Sequence, residues 1–139
     1  MEETEARLRF AWARVATLAT VDGSGAPHLV PVTFVVLGAT VYSAVDGKPK
    51  RGTVLRRHAN IRAHPRVSLL VQHWDEDWAA LWWVRADGDA TLTDDPATVR
   101  RATGMLRDKY SQYRDVAVGG PVIEVDVTAW HGWLGDPRR

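Results

Sequence analysis

The chain contains no cysteine. Disulfides, thiolate nucleophiles and zinc–thiolate sites are thereby excluded, and the composition suits a reducing compartment, so a cytoplasmic protein is expected. Lysine is scarce, with Lys48, Lys50 and Lys109 set against fifteen arginines. No apolar run approaches the roughly 18–20 residues of a membrane span. The opening MEETEARLRFAWARV is acidic and then amphipathic, unlike a secretory leader, which is basic and then apolar. GxSxG, the P-loop and GxGxxG are all absent, so hydrolase, NTPase and dinucleotide-fold signatures are missing. Formal net charge is only +1, which leaves no global field to draw in nucleic acid, and no nucleic-acid or membrane partner is expected.

At 139 residues the chain is long enough for one core, and a single domain over 1–139 is expected. Its basic charge is local. Residues 48–66 carry Lys48, Lys50, Arg51, Arg56, Arg57, Arg62 and Arg66 with no acid, which leaves the rest of the chain net acidic. Periodicity predicts a helix over 3–14 with Leu8, Trp12 and Val15 on its apolar face. Two strands follow around the glycine turn at 22–25, the second running from His28 to Val36, and a third lies in ATVYSAV. A helix over 53–63 has Val54, Leu55, His58 and Ile61 on one face and ends at Pro65. RVSLLVQHW and WAALWWVRADGDATL are the fourth and fifth strands, the latter bending near Gly88. A helix capped by Asp94 or Asp95 with Pro96 in its first turn precedes a last strand, PVIEVDVTAW. Strands that neighbour in sequence argue for a mainly β, six-stranded antiparallel barrel with flanking helices.

Three features invite a ligand. His28, Val30, Val32, Phe34 and Val36 alternate with Leu29, Pro31, Thr33 and Val35, and Pro31 cannot donate to a ladder, which suits an edge strand or one that meets a ligand. The DGKPKR loop joins a strand to a helix N-terminus, where cations, free N–H groups and the helix dipole together suit an anion, and compact lysine ammoniums suit a phosphate; the plainer alternative is a solvated turn. Trp78, Trp82 and Trp83 fall in the fifth strand near Arg85, as packing residues or as the wall of a flat aromatic ligand. His73, Asp75, Glu76 and Asp77 match no familiar metal-ligand spacing, so no metal is expected.

Taken together, ATVDGSGAPHLVPVTFVV, TVYSAVDGKPKR, NIRAHPRVSLLVQHWDEDWAALWWVRADGDA and GPVIEVDVTAWHGW resemble the pyridoxamine-phosphate-oxidase-like split β-barrel proteins of the FMN-binding type. More narrowly, they resemble an actinobacterial branch of coenzyme F420-dependent oxidoreductases. The resemblance covers nearly the whole chain. It implies a homodimer of six-stranded split barrels whose interface clefts hold a flavin or deazaflavin, and a hydride-transfer reaction with a small organic substrate. Leu29, Val30, Pro31, Val32 and Thr33 would lie along the ring. Ser43, Lys48, Lys50 and Arg51 would hold the phosphate, and Trp82, Trp83 and Arg85 would line the cleft. The cofactor implied is coenzyme F420, with FMN as the alternative; a cofactor carrier without turnover is the third reading. The substrate-phosphate Arg/Tyr/His set of pyridoxamine phosphate oxidase itself has no counterpart, which argues against vitamin B6 oxidation. No proton donor is assigned.

Overall fold

The segment 28–36, which alternates like one strand, is two strands, and the sheet has seven members rather than six. The structure, a computed structural model, describes residues 1–46, 55–116 and 118–138. Along the chain lie α1 (Glu3–Trp12), β1 (Ala16–Val21), β2 (Pro27–Val32), β3 (Val35–Leu37), β4 (Thr40–Asp46), α2 (Arg56–Ala63), β5 (Arg66–His73), β6 (Trp82–Thr93), α3 (Pro96–Lys109) and β7 (Val118–Leu134). Short 3₁₀ turns occupy Trp78–Ala80 and Ser111–Arg114. The antiparallel sheet runs β2-β1-β5-β6-β7-β4-β3 and does not close. It is curled and flanked by helices, the split-barrel form of the expectation with one strand more. No helix among the described residues is long and apolar enough to cross a membrane.

The break after Val32 has a visible cause. Phe34 and Val35 are buried in succession, which a continuous strand with alternating faces does not allow. Thr33 and Phe34 are held instead by groups that follow α3. Thr33 Oγ1 and Tyr113 Oη share a hydrogen bond of 2.5 Å. The Phe34 N–H donates to Tyr110 Oη at 3.2 Å. Tyr110 Oη also lies 2.9 Å from the Arg14 carbonyl, and Lys109 Nζ donates to the carbonyls of Phe34 (3.0 Å) and Ala11 (3.2 Å). The two free edges of the sheet, β2 and β3, are thus joined by a two-residue link pinned from α3.

The 17-residue β7 carries most of the sheet. It pairs with β4 along its first half and with β6 from Val122 to Leu134. β6 bends where expected, since its register against β7 shifts between Asp87 and Gly88. A Cβ at Gly88 would collide with the Asp126 carbonyl, so the close strand approach requires glycine.

Two sequence expectations fail here. Leu8, Trp12 and Val15 are exposed, and α1 buries Ala6 and Phe10 instead. Phe10 packs against Phe34 (4.9 Å between ring centres) and Trp130 (5.3 Å), while Arg7 and Arg9 lie over Trp130 and Trp82. Trp78 is not on a strand. Asp75 accepts the Asp77 N–H (2.7 Å) and Asp77 accepts the Ala79 N–H (3.1 Å), and such local bonds favour turns over a ladder. By contrast, Asp95 caps α3 by accepting the Thr98 N–H at 3.0 Å, as its sequence suggests. α2 buries His58, Asn60 and Ile61, and Asn60 Nδ2 donates to Thr20 Oγ1 at 3.0 Å. Val54 lies outside the described residues.

Candidate functional site

Period-two alternation places one row of side chains from each strand on the outward face of the sheet. The register fixes which of them meet. Pro31, Thr17, Leu70, Arg85 and His131 stand side by side across β2-β1-β5-β6-β7. Leu29, Ala19, Ser68, Asp87 and Ala129 form the adjacent row, and Gln72, Trp83 and Trp133 a further one. From these rows Thr17, Ala19, Leu29, Ser68, Leu70, Gln72, Trp83, Arg85 and Trp133 floor a largely apolar cleft of about 540 Å³ that also includes His73, Trp74 and Leu81. Its size is that of a site for a ligand of a few rings. Leu29 (66 % exposed), Trp74 (64 %) and Trp133 (43 %) leave much of its rim open.

One edge of the cleft is charged. Arg85 binds Asp87 through both Nε (2.9 Å) and Nη2 (3.2 Å), Ser68 Oγ donates to Asp87 at 2.7 Å, and His131 Nε2 lies 3.4 Å from it. Burial pushes the Asp87 carboxyl up. The hydrogen bonds from Arg85 and Ser68, with the nearby charges of Arg85 and His131, outweigh that and hold it below the usual carboxylate range. Asp87 therefore stays ionised and largely neutralises Arg85, which turns the cleft from a cationic pocket into a mild one. A serine, a histidine and an acid do meet here, but the carboxylate stands between the other two. The Ser68 hydroxyl donates its hydrogen bond to the Asp87 carboxylate and not to the imidazole, so no activated hydroxyl results.

A second, smaller cavity of about 170 Å³ lies at the end of β2, lined by Pro31, Val32, Thr33, Ala44, Val45, Arg57 and Tyr113. It adjoins the end of β4, where the chain enters the stretch 47–54. Lys48, Lys50 and Arg51, the expected phosphate grip, belong to that stretch and lie outside the described residues.

The structure brings Leu29, Trp83 and Arg85 to one cleft within a single chain, and Pro31, Val32 and Thr33 to the smaller cavity. Val30 and Trp82 do not join them. Val30 packs on the core from the inward face. Trp82 is likewise inward and stacks on His73 with ring centres 6.0 Å apart and Arg9 above it. Ser43 is buried, and its hydroxyl donates to the Thr33 carbonyl at 2.7 Å. The one proton that a phosphate would ask of it is already committed. Sequence reasoning missed Ser68, Asp87, His131 and Trp133. Matching the alternation of the fifth and last strands would have paired Trp83 with Trp133 once their register was known.

A family model described as pyridoxamine 5'-phosphate oxidase matches residues 2–134. The chain belongs to that family. No curated protein matches it. Among solved structures, this member of the pyridoxamine 5'-phosphate oxidase family is similar to a conserved hypothetical protein from Mycobacterium tuberculosis (21 % identity, TM-score 0.77, covering 97 % of this chain and 86 % of that one). It is also similar to a FAD-binding protein from Mesorhizobium loti (19 %, TM-score 0.70, 95 % and 92 %) and to HutZ, a heme storage protein from Vibrio cholerae (16 %, TM-score 0.69, 96 % and 95 %). At these identities the likeness carries the fold of the pyridoxamine 5'-phosphate oxidase family and no particular ligand.

Proposed function

We propose that the protein is an oxidoreductase that moves a hydride between reduced coenzyme F420 and a small organic substrate. The observation that carries this reading is the shared cleft: an edge strand contributes Leu29, and β6 contributes Trp83 and Arg85, to one apolar, open-rimmed space of about 540 Å³. A tricyclic ring fits such a space, and an edge strand offers backbone donors and acceptors that no neighbouring strand uses. When bound, the deazaflavin supplies the hydride-bearing carbon, and the chain needs no nucleophile of its own. Its residues position and shield. Leu29, Trp83 and Trp133 exclude water from the ring, and Asp87 keeps the charge of Arg85 in check. Thr33 is fixed by Ser43 and Tyr113, and Lys48, Lys50 and Arg51 would hold the phosphate through charge-assisted hydrogen bonds. Coenzyme F420 is expected to bind at least about tenfold more tightly than FMN, roughly 1.4 kcal/mol, in a fluorescence titration. FMN binding of equal or greater strength would make the protein a flavin enzyme instead, a reading favoured by the FAD-binding name of the Mesorhizobium loti neighbour. Tight binding with no turnover across quinones, enones and tetrapyrroles would leave a carrier.

The same cleft supports a homodimer. Trp74 and Trp133 line it while largely exposed, and Trp78 is exposed as well (69 %), uncovered aromatic surface of the kind that subunits cover. Light scattering at micromolar concentration is expected to report twice the chain mass; a monomer would remove the dimer and any two-chain cleft with it.

A further inference from the structure

Among the described residues, the wall of the β2–β6 cleft carries two basic side chains, Arg85 and His73, and no acidic one. Each of the two is met by a carboxylate that does not itself line the cleft. Asp87 accepts from Arg85 Nε and Nη2, and Asp75 lies 3.8 Å from His73 Nε2. The Arg85 pair is the firmer one, because three strands hold its acid. Arg85 of β6 bonds both Asp87 oxygens, Ser68 of β5 donates to Oδ1 at 2.7 Å, and His131 of β7 lies 3.4 Å from Oδ2. The Asp87 side chain is 16 % exposed against 43 % for Arg85, so the arginine meets the cleft and the acid stays back.

This arrangement decides what Arg85 can offer a ligand. A carboxylate, sulfonate or phosphate binds arginine best by taking two parallel N–H groups of the guanidinium fork. Here the Nε–Nη2 side of the fork is filled by Asp87. An anion on the other side would share the guanidinium with Asp87 and lie close to a second negative charge. A carbonyl oxygen asks for less, since one N–H satisfies it and it brings no net charge. Among the described residues Nη1 has no hydrogen-bond partner, so such a donor is left over.

We infer that Asp87 is a specificity-determining residue: by filling the fork of Arg85 it restricts the cleft to uncharged ring compounds that present a carbonyl oxygen, such as a quinone or an enone. The same rings bearing a carboxylate or sulfonate are turned away. This rests on the reading of the cleft as a site for ring compounds, and not on which cofactor serves there. Asp87 touches no ligand in this scheme and acts through Arg85. The largely apolar floor of Leu29, Leu70, Trp83 and Trp133 agrees with an uncharged ring.

The test is a tryptophan-quenching titration of the full chain with two probes that share one tricyclic ring. They are neutral 2-(hydroxymethyl)anthraquinone and anionic anthraquinone-2-sulfonate, and Trp74, Trp83 and Trp133 on the cleft wall report their binding. At pH 8, above the range in which imidazole ordinarily carries charge, the parent chain is expected to bind the neutral probe at least about tenfold more tightly. Asp87→Asn should raise the affinity for the sulfonate by about tenfold or more and leave the neutral probe within about threefold. A merely structural role for Asp87 would weaken both probes alike. Ser68→Ala, which frees Asp87 from β5, should move the ratio of the two affinities the same way by a smaller factor, and replaces the asparagine variant if that one does not fold. Sulfonate binding as tight as neutral binding in the parent would overturn the inference and leave the cleft a ring site. So would an affinity ratio that Asp87→Asn, or Ser68→Ala in its place, leaves unchanged. No saturable quenching by either probe would overturn the ring-site reading itself, and the inference with it.

Discussion

Replacing Lys48 and Lys50 together by alanine is expected to weaken cofactor binding by tens- to thousands-fold while the ligand-free protein melts as before. A charge-assisted hydrogen bond contributes about 1.5–3 kcal/mol, and two such contacts on one phosphate are not simply additive, which sets the width of the range. The DGKPKR loop holds no residue read as core from the sequence, so the change in stability should stay within about 0.5 kcal/mol. Lys50→Arg should be tolerated poorly, because a long planar fork does not occupy the place of a compact ammonium. The control has to be chosen with the structure in view. Arg101 donates to Tyr42 Oη at 3.1 Å and is a poor neutral site, whereas exposed Arg100 on the same helix suits the purpose. Wild-type affinity for both coenzyme F420 and FMN in the double variant would mean that the lysines are merely solvated.

Phe10→Ala should be the most damaging single substitution in α1, costing about 3–5 kcal/mol in urea unfolding, or a fall of roughly 10 °C or more in the thermal midpoint. Phe10 is fully buried, and only Ala6 accompanies it, so the helix loses the one large side chain that ties it to Phe34 and Trp130. Trp12→Ala, on the face that spacing favours but the fold leaves exposed, should cost no more than about 0.5 kcal/mol. Should Trp12→Ala prove as costly as Phe10→Ala, the orientation of α1 described above would be wrong.

That helix shows where the sequence is ambiguous. Leu8, Trp12 and Val15 make one apolar stripe and Ala6 and Phe10 another, and local spacing does not rank them. The aromatic neighbours that decide it, Phe34 and Trp130, come from distant strands. β5 and the bend at Gly88 were legible because one buried face enforces alternation and glycine marks a close approach. The β2–β3 break was not, since Thr33 and Phe34 carry no turn signal and their bonds come from Tyr110 and Tyr113 some 80 positions along the chain. The candidate site divides in the same way. Leu29, Trp83 and Arg85 could be read from strand, tryptophan and resemblance. Ser68, Asp87, His131 and Trp133 join them only through strand register, which is a long-range property. Trp82 does not line the cleft as the resemblance implied, because it packs on the core between His73 and Arg9, and Trp78 belongs to a turn rather than to the fifth strand.

The link at Thr33–Phe34 has a mechanical meaning. A curled ribbon of strands can widen at one place without breaking any ladder, and that place is the seam between its two unpaired borders, β2 and β3. What keeps this hoop from springing is a clasp of side-chain bonds from Lys109, Tyr110 and Tyr113 instead of a row of amide pairs. The slack of the seam is therefore set by three residues at the far end of a helix. Because the small cavity at Thr33 borders the seam and the wider cleft begins at Leu29, the clasp also governs how firmly the two spaces are held at one distance from each other.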